Sequence, residues 1–121
     1  MKSIAILLSL LPALVYADTT TYTCNYTTYS DQEGNHNVET KFELNFIIDK
    51  TAEKSYLLGN NGSAEVTFFE LVDQVAFIEV TTSGNIMTTA IDSNLNSVHS
   101  RNSVMLGKML PSQYYGKCEV K

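Results

Sequence analysis

Val38-Glu39-Thr40-Lys41-Phe42-Glu43-Leu44-Asn45-Phe46-Ile47-Ile48-Asp49, residues 38 to 49, is the stretch that decides the fold. Phe42, Leu44, Phe46 and Ile48 fall on one side of an extended chain, and Lys41, Glu43 and Asn45 on the other. Side chains of a strand alternate between faces with period two, so this pattern predicts a half-buried antiparallel strand with one face in a core and one in water. A helix would alternate spacings of three and four between its apolar residues, whereas these recur at every second position.

The flanking segments repeat the pattern. Thr20 to Tyr29 is almost wholly β-branched or aromatic, with Tyr22, Cys24 and Tyr26 on one face, and reads as a first strand. The polar run from Ser30 to Asn37, with Gly34 inside it, reads as a loop. Lys54 to Leu58 reads as a short strand, and Gly59-Asn60-Asn61-Gly62 supplies residues that accept positive φ, so a tight hairpin into Ala64 to Glu70 is expected. Gln74 to Thr81, Ile86 to Ile91 and Ser97 to Arg101 follow, punctuated by Ser83-Gly84-Asn85 and Asp92-Ser93-Asn94. A weaker element around Val104 to Leu106 precedes a last strand, Gln113 to Val120. Phe68 to Val72 is too short to carry a helix alone.

The first residues have another character. Lys2, a largely apolar run from Ile4 to Leu11, Pro12, and then Val15-Tyr16-Ala17 have the three parts of a cleavable secretory signal, with the cut expected between Ala17 and Asp18. The run is shorter than the roughly 20 apolar residues of a spanning helix, so no membrane anchor is expected after cleavage. Taking these 17 residues from 121 leaves 104, the size of a single domain over 18 to 121. Without Lys2 the chain has 7 basic residues against 13 acidic, a net charge of −6, which disfavours nucleic acid and anionic membranes as partners.

Two cysteines in an exported chain have one way to pair, and a Cys24 to Cys118 disulfide is expected. In a simple meander the first and last strands lie at opposite edges of the sheet. Bridged Cα atoms must come within roughly 7 Å, so the bond brings those edges together. The reading is therefore all-β: an antiparallel meander of seven or eight strands, closed or nearly closed as a small barrel, with a sandwich as the alternative.

Candidate chemistry is sparse. His99-Ser100-Arg101-Asn102 holds the densest set of reactive side chains, but the strained turn of a serine hydrolase is missing and period two makes His99 and Ser100 diverge. A solvated strand face carrying Ser97, His99 and Arg101 is the expectation. Asp31, Glu33 and Asn35 alternate as calcium ligands can, yet the sixth and twelfth positions of an EF-hand counted from Asp31 are His36 and Phe42. His36 and His99 lie far apart in sequence and would need carboxylates to make a zinc site. No catalytic, cofactor-binding or metal-ligating set is assigned. Asn25-Tyr26-Thr27 and Asn61-Gly62-Ser63 match the N-glycosylation pattern. Tyr22, Tyr26, Tyr29, Tyr114 and Tyr115 gather on the first and last strands, where they either pack the seam or form a binding face.

The Tyr22-Thr23-Cys24 opening, the Tyr114-Tyr115-Gly116-Lys117-Cys118 close and the Ser100-Arg101-Asn102 segment resemble small exported bacterial β-proteins of uncharacterised function with a cysteine near each end. The Tyr-x-Cys opening is also similar to that of periplasmic lysozyme inhibitors, which are small β-barrels; those usually carry tryptophan, and this chain has none. The resemblance implies a periplasmic or secreted protein. With the missing catalytic motifs, the expected function is a non-enzymatic binding module for a protein or a small apolar ligand, through the barrel mouth or the tyrosine seam. The alternatives are a structural envelope component, or a hydrolase or isomerase using His99 to Asn102.

Overall fold

The computed structural model describes residues 18 to 59 and 62 to 121. The expected leader with Ala17, and Asn60 and Asn61 of the expected hairpin tip with its acceptor motif, lie outside the described residues.

Ten strands run β1 Thr19–Asp31, β2 Gly34–Asp49, β3 Lys54–Gly59, β4 Gly62–Glu70, β5 Gln74–Val80, β6 Ile86–Asp92, β7 Asn96–Asn102, β8 Val104–Met105, β9 Lys108–Met109 and β10 Ser112–Val120. Eight of them close a barrel in the order β1-β10-β7-β6-β5-β4-β3-β2, while β8 and β9 form a separate two-stranded hairpin. Every barrel pairing is antiparallel, and each strand bonds to its neighbour in sequence except at β7–β10, where the small hairpin intervenes in the chain, and at β1–β10, which closes the barrel. The architecture is the barrel rather than the sandwich. Closure leaves the barrel no free edge to template aggregation.

The alternation read from the sequence sets the interior. Cys24, Tyr26, Leu44, Phe46, Ile48, Leu57, Val66, Phe77, Ile91 and Cys118 are buried, whereas Lys41, Glu65, Lys117 and Glu119 stand outside. Phe46 stacks on Phe77 with ring centroids 4.3 Å apart, and Phe68 and Tyr22 pack on Phe77 at 5.3 and 6.2 Å. These rings fill the end of the barrel where β1 begins.

Cys24 and Cys118 are opposite residues of the β1–β10 ladder and form a disulfide with Cα atoms 3.9 Å apart. The bond therefore lies across the closing seam, as the meander argument requires. Gly116 lies in the same ladder, opposite Tyr26. A Cβ at this position would collide with the Asn25 carbonyl and press on Tyr26, so the strand needs glycine for close approach rather than for an unusual φ.

One sequence expectation is corrected here. Ser30 to Asn37 is not a loop: β1 runs to Asp31, β2 begins at Gly34, and Gln32 and Glu33 alone turn the chain. The Asp31 carboxylate accepts the Glu33 N–H at 2.8 Å and Gly34 takes φ 120°, so two residues suffice and the polar flanks pair as strands. Past this tip the ladder jumps: Tyr26 pairs with Phe42 but Thr28 with Asn37, leaving residues 38 to 41 of β2 and Thr27 of β1 out of register. The four-residue excursion hangs over the barrel end opposite the packed one.

Candidate functional site

That end is hollow. A cavity of about 720 Å³ opens between the excursion of β2 and strands β3, β4, β5, β6, β7 and β10. The excursion contributes the exposed charges of Glu39 and Lys41; the strands contribute an apolar wall of Phe42, Leu44, Leu57, Met87 and Tyr114 and the polar groups of Glu79, His99 and Arg101. Every one of these strand residues comes from an inward position of its strand, which is why the cavity is a continuation of the core rather than a surface dent.

The polar groups are ordered from the inside outward. Tyr26, 2% exposed, shares a 2.8 Å hydrogen bond between its hydroxyl and Ser97 Oγ. His99, 1% exposed, bonds through Nδ1 to Thr89 Oγ1 at 2.7 Å and accepts Arg101 Nε–H at Nε2, 3.2 Å away. An acceptor at Nε2 places the imidazole proton on Nδ1, so Thr89 receives it and the ring is neutral. Burial, aided by the adjacent Arg101 guanidinium, pushes His99 down from 6.5 to about 3. Burial likewise pushes the Tyr26 phenol up to about 12, which the Ser97 hydrogen bond partly opposes.

Arg101 is half-buried at the cavity wall, its guanidinium carbon 4.9 Å from the Phe42 ring centre and 5.1 Å from that of Tyr114. Phe42 and Tyr114 meet edge to face at 4.8 Å, and Tyr29 stacks on Tyr114 at 5.0 Å. None of the ion pairs among the described residues includes Arg101; they join His36 to Asp31, Lys41 to Glu43 and Lys54 to Glu65. A cation is thus aimed by one neutral hydrogen bond and two aromatic faces, with its outer N–H groups at the cavity.

This arrangement corrects the reading of β7. Ser97, His99 and Arg101 do share a face, but that face lines the interior instead of meeting solvent. The polar side chains are tolerated inside because each finds a partner on another strand: Ser97 on Tyr26 of β1, and His99 on Thr89, its register partner on the neighbouring β6. Ser100 points the other way and accepts a hydrogen bond from Gln113 on the outer surface, so His99 and Ser100 do not meet. With both ring nitrogens engaged, His99 is not placed to take a proton from a substrate.

The tyrosines divide by face. Tyr22, Tyr26 and Tyr114 turn inward, Tyr22 toward the packed end and Tyr114 toward the cavity, while Tyr115 stands outside at 37% exposure and donates its hydroxyl to Gln113. They are not one surface. Asp31 and Glu33 come together at the β1–β2 tip with His36 rather than Asn35, their ligand atoms within 4.8 Å of one another; Asn35 instead accepts from Ser30. His36 stacks on Tyr29, which stacks on Tyr114, so aromatic rings stand between it and His99. Asn25 is exposed on β1.

Sequence reasoning missed Phe42, Met87, Glu79 and Arg101 as a group. The available signal was that Phe42 and Arg101 both sit at inward positions of their strands, which becomes meaningful only once closure and register bring them to one end of the barrel. Compared with family models, with characterised proteins and with solved structures, the chain matches none.

Proposed function

We propose that this is a non-enzymatic binding protein whose ligand is a small molecule with an apolar body, held in the open end of the barrel. The observation that carries the reading is the 720 Å³ cavity walled by Phe42, Leu44, Leu57, Met87 and Tyr114. That volume lies in the range of about 300 to 1,000 Å³ typical of ligand pockets, and a few convergent polar groups among apolar walls are their usual composition. The long-range disulfide is consistent with an oxidising, extracellular compartment. We extend this to export through the leader in residues 1 to 17, to the periplasm or beyond, in line with the resemblance to exported bacterial β-proteins.

One experiment addresses both. The full chain is expressed with its own first 17 residues in a Gram-negative host, and the protein outside the cytosol is sequenced and titrated with N-phenyl-1-naphthylamine, a neutral probe that fluoresces in apolar surroundings. The expected protein begins at Asp18 and binds the probe saturably, one per chain. Met87→Trp fills the mouth and lowers that affinity at least about tenfold, the effect of losing roughly 1.4 kcal/mol. Unsaturable binding, or equal binding by Met87→Trp, overturns the cavity reading; a product retaining residues 1 to 17 overturns the export reading.

A further inference from the structure

We infer that the ligand of this cavity is an organic anion, its acidic group held by Arg101 and its apolar body by the rings and aliphatic side chains below. The inference rests on the cavity being a binding site and adds the charge and orientation of what enters it.

Arg101 carries the argument. Its charge is half withdrawn from water, yet it has no carboxylate partner among the described residues. A guanidinium so placed has lost hydration without gaining an ion pair, and an entering anion supplies what is missing. The side chain is also fixed. Nε is committed to His99, and Phe42 and Tyr114 hold the guanidinium from two sides. What remains is the Nη edge, two parallel donors matched to the two oxygens of a carboxylate or sulfonate. His99 is a positioning residue here: as a neutral acceptor it orients Arg101, whereas a protonated imidazole would repel it.

The other charges at the mouth do not cancel this one. Glu39 lines the same cavity from the exposed excursion of β2 without pairing with Arg101, and Lys41 is paired with Glu43. Glu79 lies on β5 opposite Met87, which in turn lies opposite Arg101, so a full strand separates the acid from the guanidinium and no ion pair forms. Glu79 instead repels an anion that strays toward β5, which favours seating the acidic group on the β7 side.

The test uses a matched pair of probes, N-phenyl-1-naphthylamine and its sulfonated analogue 8-anilinonaphthalene-1-sulfonate, which share one skeleton. The sulfonate is expected to bind at least about tenfold tighter, a factor within the range of one charge-assisted hydrogen-bond pair. Its affinity is expected to fall with added salt while that of the neutral probe does not. Arg101→Met keeps an unbranched apolar stem between the rings and is expected to abolish the preference while retaining the neutral probe. Glu79→Gln is expected to strengthen sulfonate binding. Sulfonates also settle on exposed apolar surface, and the β8–β9 hairpin offers Met105, Leu106 and Met109 at 61, 100 and 62% exposure. Leu106→Asn is therefore expected to change nothing. Equal binding of both probes by the unaltered chain, a preference that survives Arg101→Met, or sulfonate binding lost in Leu106→Asn each overturns the inference while leaving neutral binding in the cavity intact. Failure of both probes to bind removes the cavity reading itself.

Discussion

At the scale of single residues, the molecule places polar groups inside a barrel and satisfies each one. No buried side-chain nitrogen or oxygen among the described residues is without a partner. That satisfaction depends on protonation, and His99 is the clearest case. Its imidazole titrates at about 3 in the folded chain against an ordinary 6.5, because burial and then Arg101 oppose the charged form. A depressed histidine is neutral in the fold but binds a proton in the unfolded chain below 6.5. Its contribution is fully present above that pH and is lost as pH falls from 6.5 toward 3. Each unit in that window costs on the order of 1 kcal/mol, so stability is expected to drop by about 2 kcal/mol between pH 6.5 and 4.5 from this group alone. Denaturant melts across that range check it. His99→Gln, which cannot titrate, is expected to be less stable at neutral pH but to show a shallower slope. Equal slopes would assign the acid sensitivity to other groups.

Among the described residues three that are not glycine hold positive φ, Glu53, Leu95 and Leu106, and the surroundings of the two leucines differ. Leu95, at φ 67°, packs against the core, so burial offsets its backbone cost. Leu106, at φ 54°, is fully exposed and gains no such compensation. Neither conformation was legible from residue type, since leucine is not a turn residue by propensity. By contrast Asp92 was read as a turn residue from its type, and in the structure it uses its own carboxylate to accept nearby backbone N–H groups, as Asp31 and Asp49 also do.

At the scale of elements, strand identity was legible and strand registration was not. The inward set Phe42, Leu44, Phe46 and Ile48 of β2 follows directly from period two. The slip that sets Thr28 against Asn37 instead of continuing from the Tyr26–Phe42 pair leaves no mark in local composition. Yet the slip swings residues 38 to 41 over the mouth and helps make the cavity. The polar inward face of β7 was misread for a related reason: Ser97 and His99 look solvated until Tyr26 and Thr89 are brought opposite them. Beside this irregular region the β1–β10 seam relies on Gly116. Gly116→Ala would drive a methyl into the Asn25 carbonyl and the Tyr26 backbone, where neither atom belongs to a flexible side-chain end. Overpacking of this kind costs about 1 to 3 kcal/mol, and the loss is expected as a lower denaturant midpoint with faster amide exchange along β1 and β10. Unchanged exchange at Tyr26 and Gly116 would show that the strands separate there without cost.

At the scale of the whole molecule, two systems close the barrel: the backbone ladder from Tyr22–Val120 to Asp31–Ser112, and the Cys24–Cys118 bond within it. The bond spans a sequence separation of 94 residues, the longest-range link in the fold that is covalent. Its main effect is on the unfolded chain, whose ends it holds together, at a value of about 4 to 5 kcal/mol in the chain-entropy account. The ladder acts on the folded chain and is expected to survive reduction, because its hydrogen bonds and the buried rings of Phe46 and Phe77 do not involve sulfur. Removing both thiols by Cys24→Ala with Cys118→Ala is therefore expected to leave a closed barrel that retains the cavity, but to lower unfolding stability by up to about 4 to 5 kcal/mol. Denaturant titration of the double variant, with strand content followed by circular dichroism and the mouth by the neutral probe, separates these effects. A variant that keeps its strands but no longer binds would mean that the disulfide shapes the mouth along β10, where Cys118 lies four residues from Tyr114. A variant that unfolds outright would mean that the ladder alone falls short of what an all-β domain of this length needs, and that the oxidising compartment is a condition of folding.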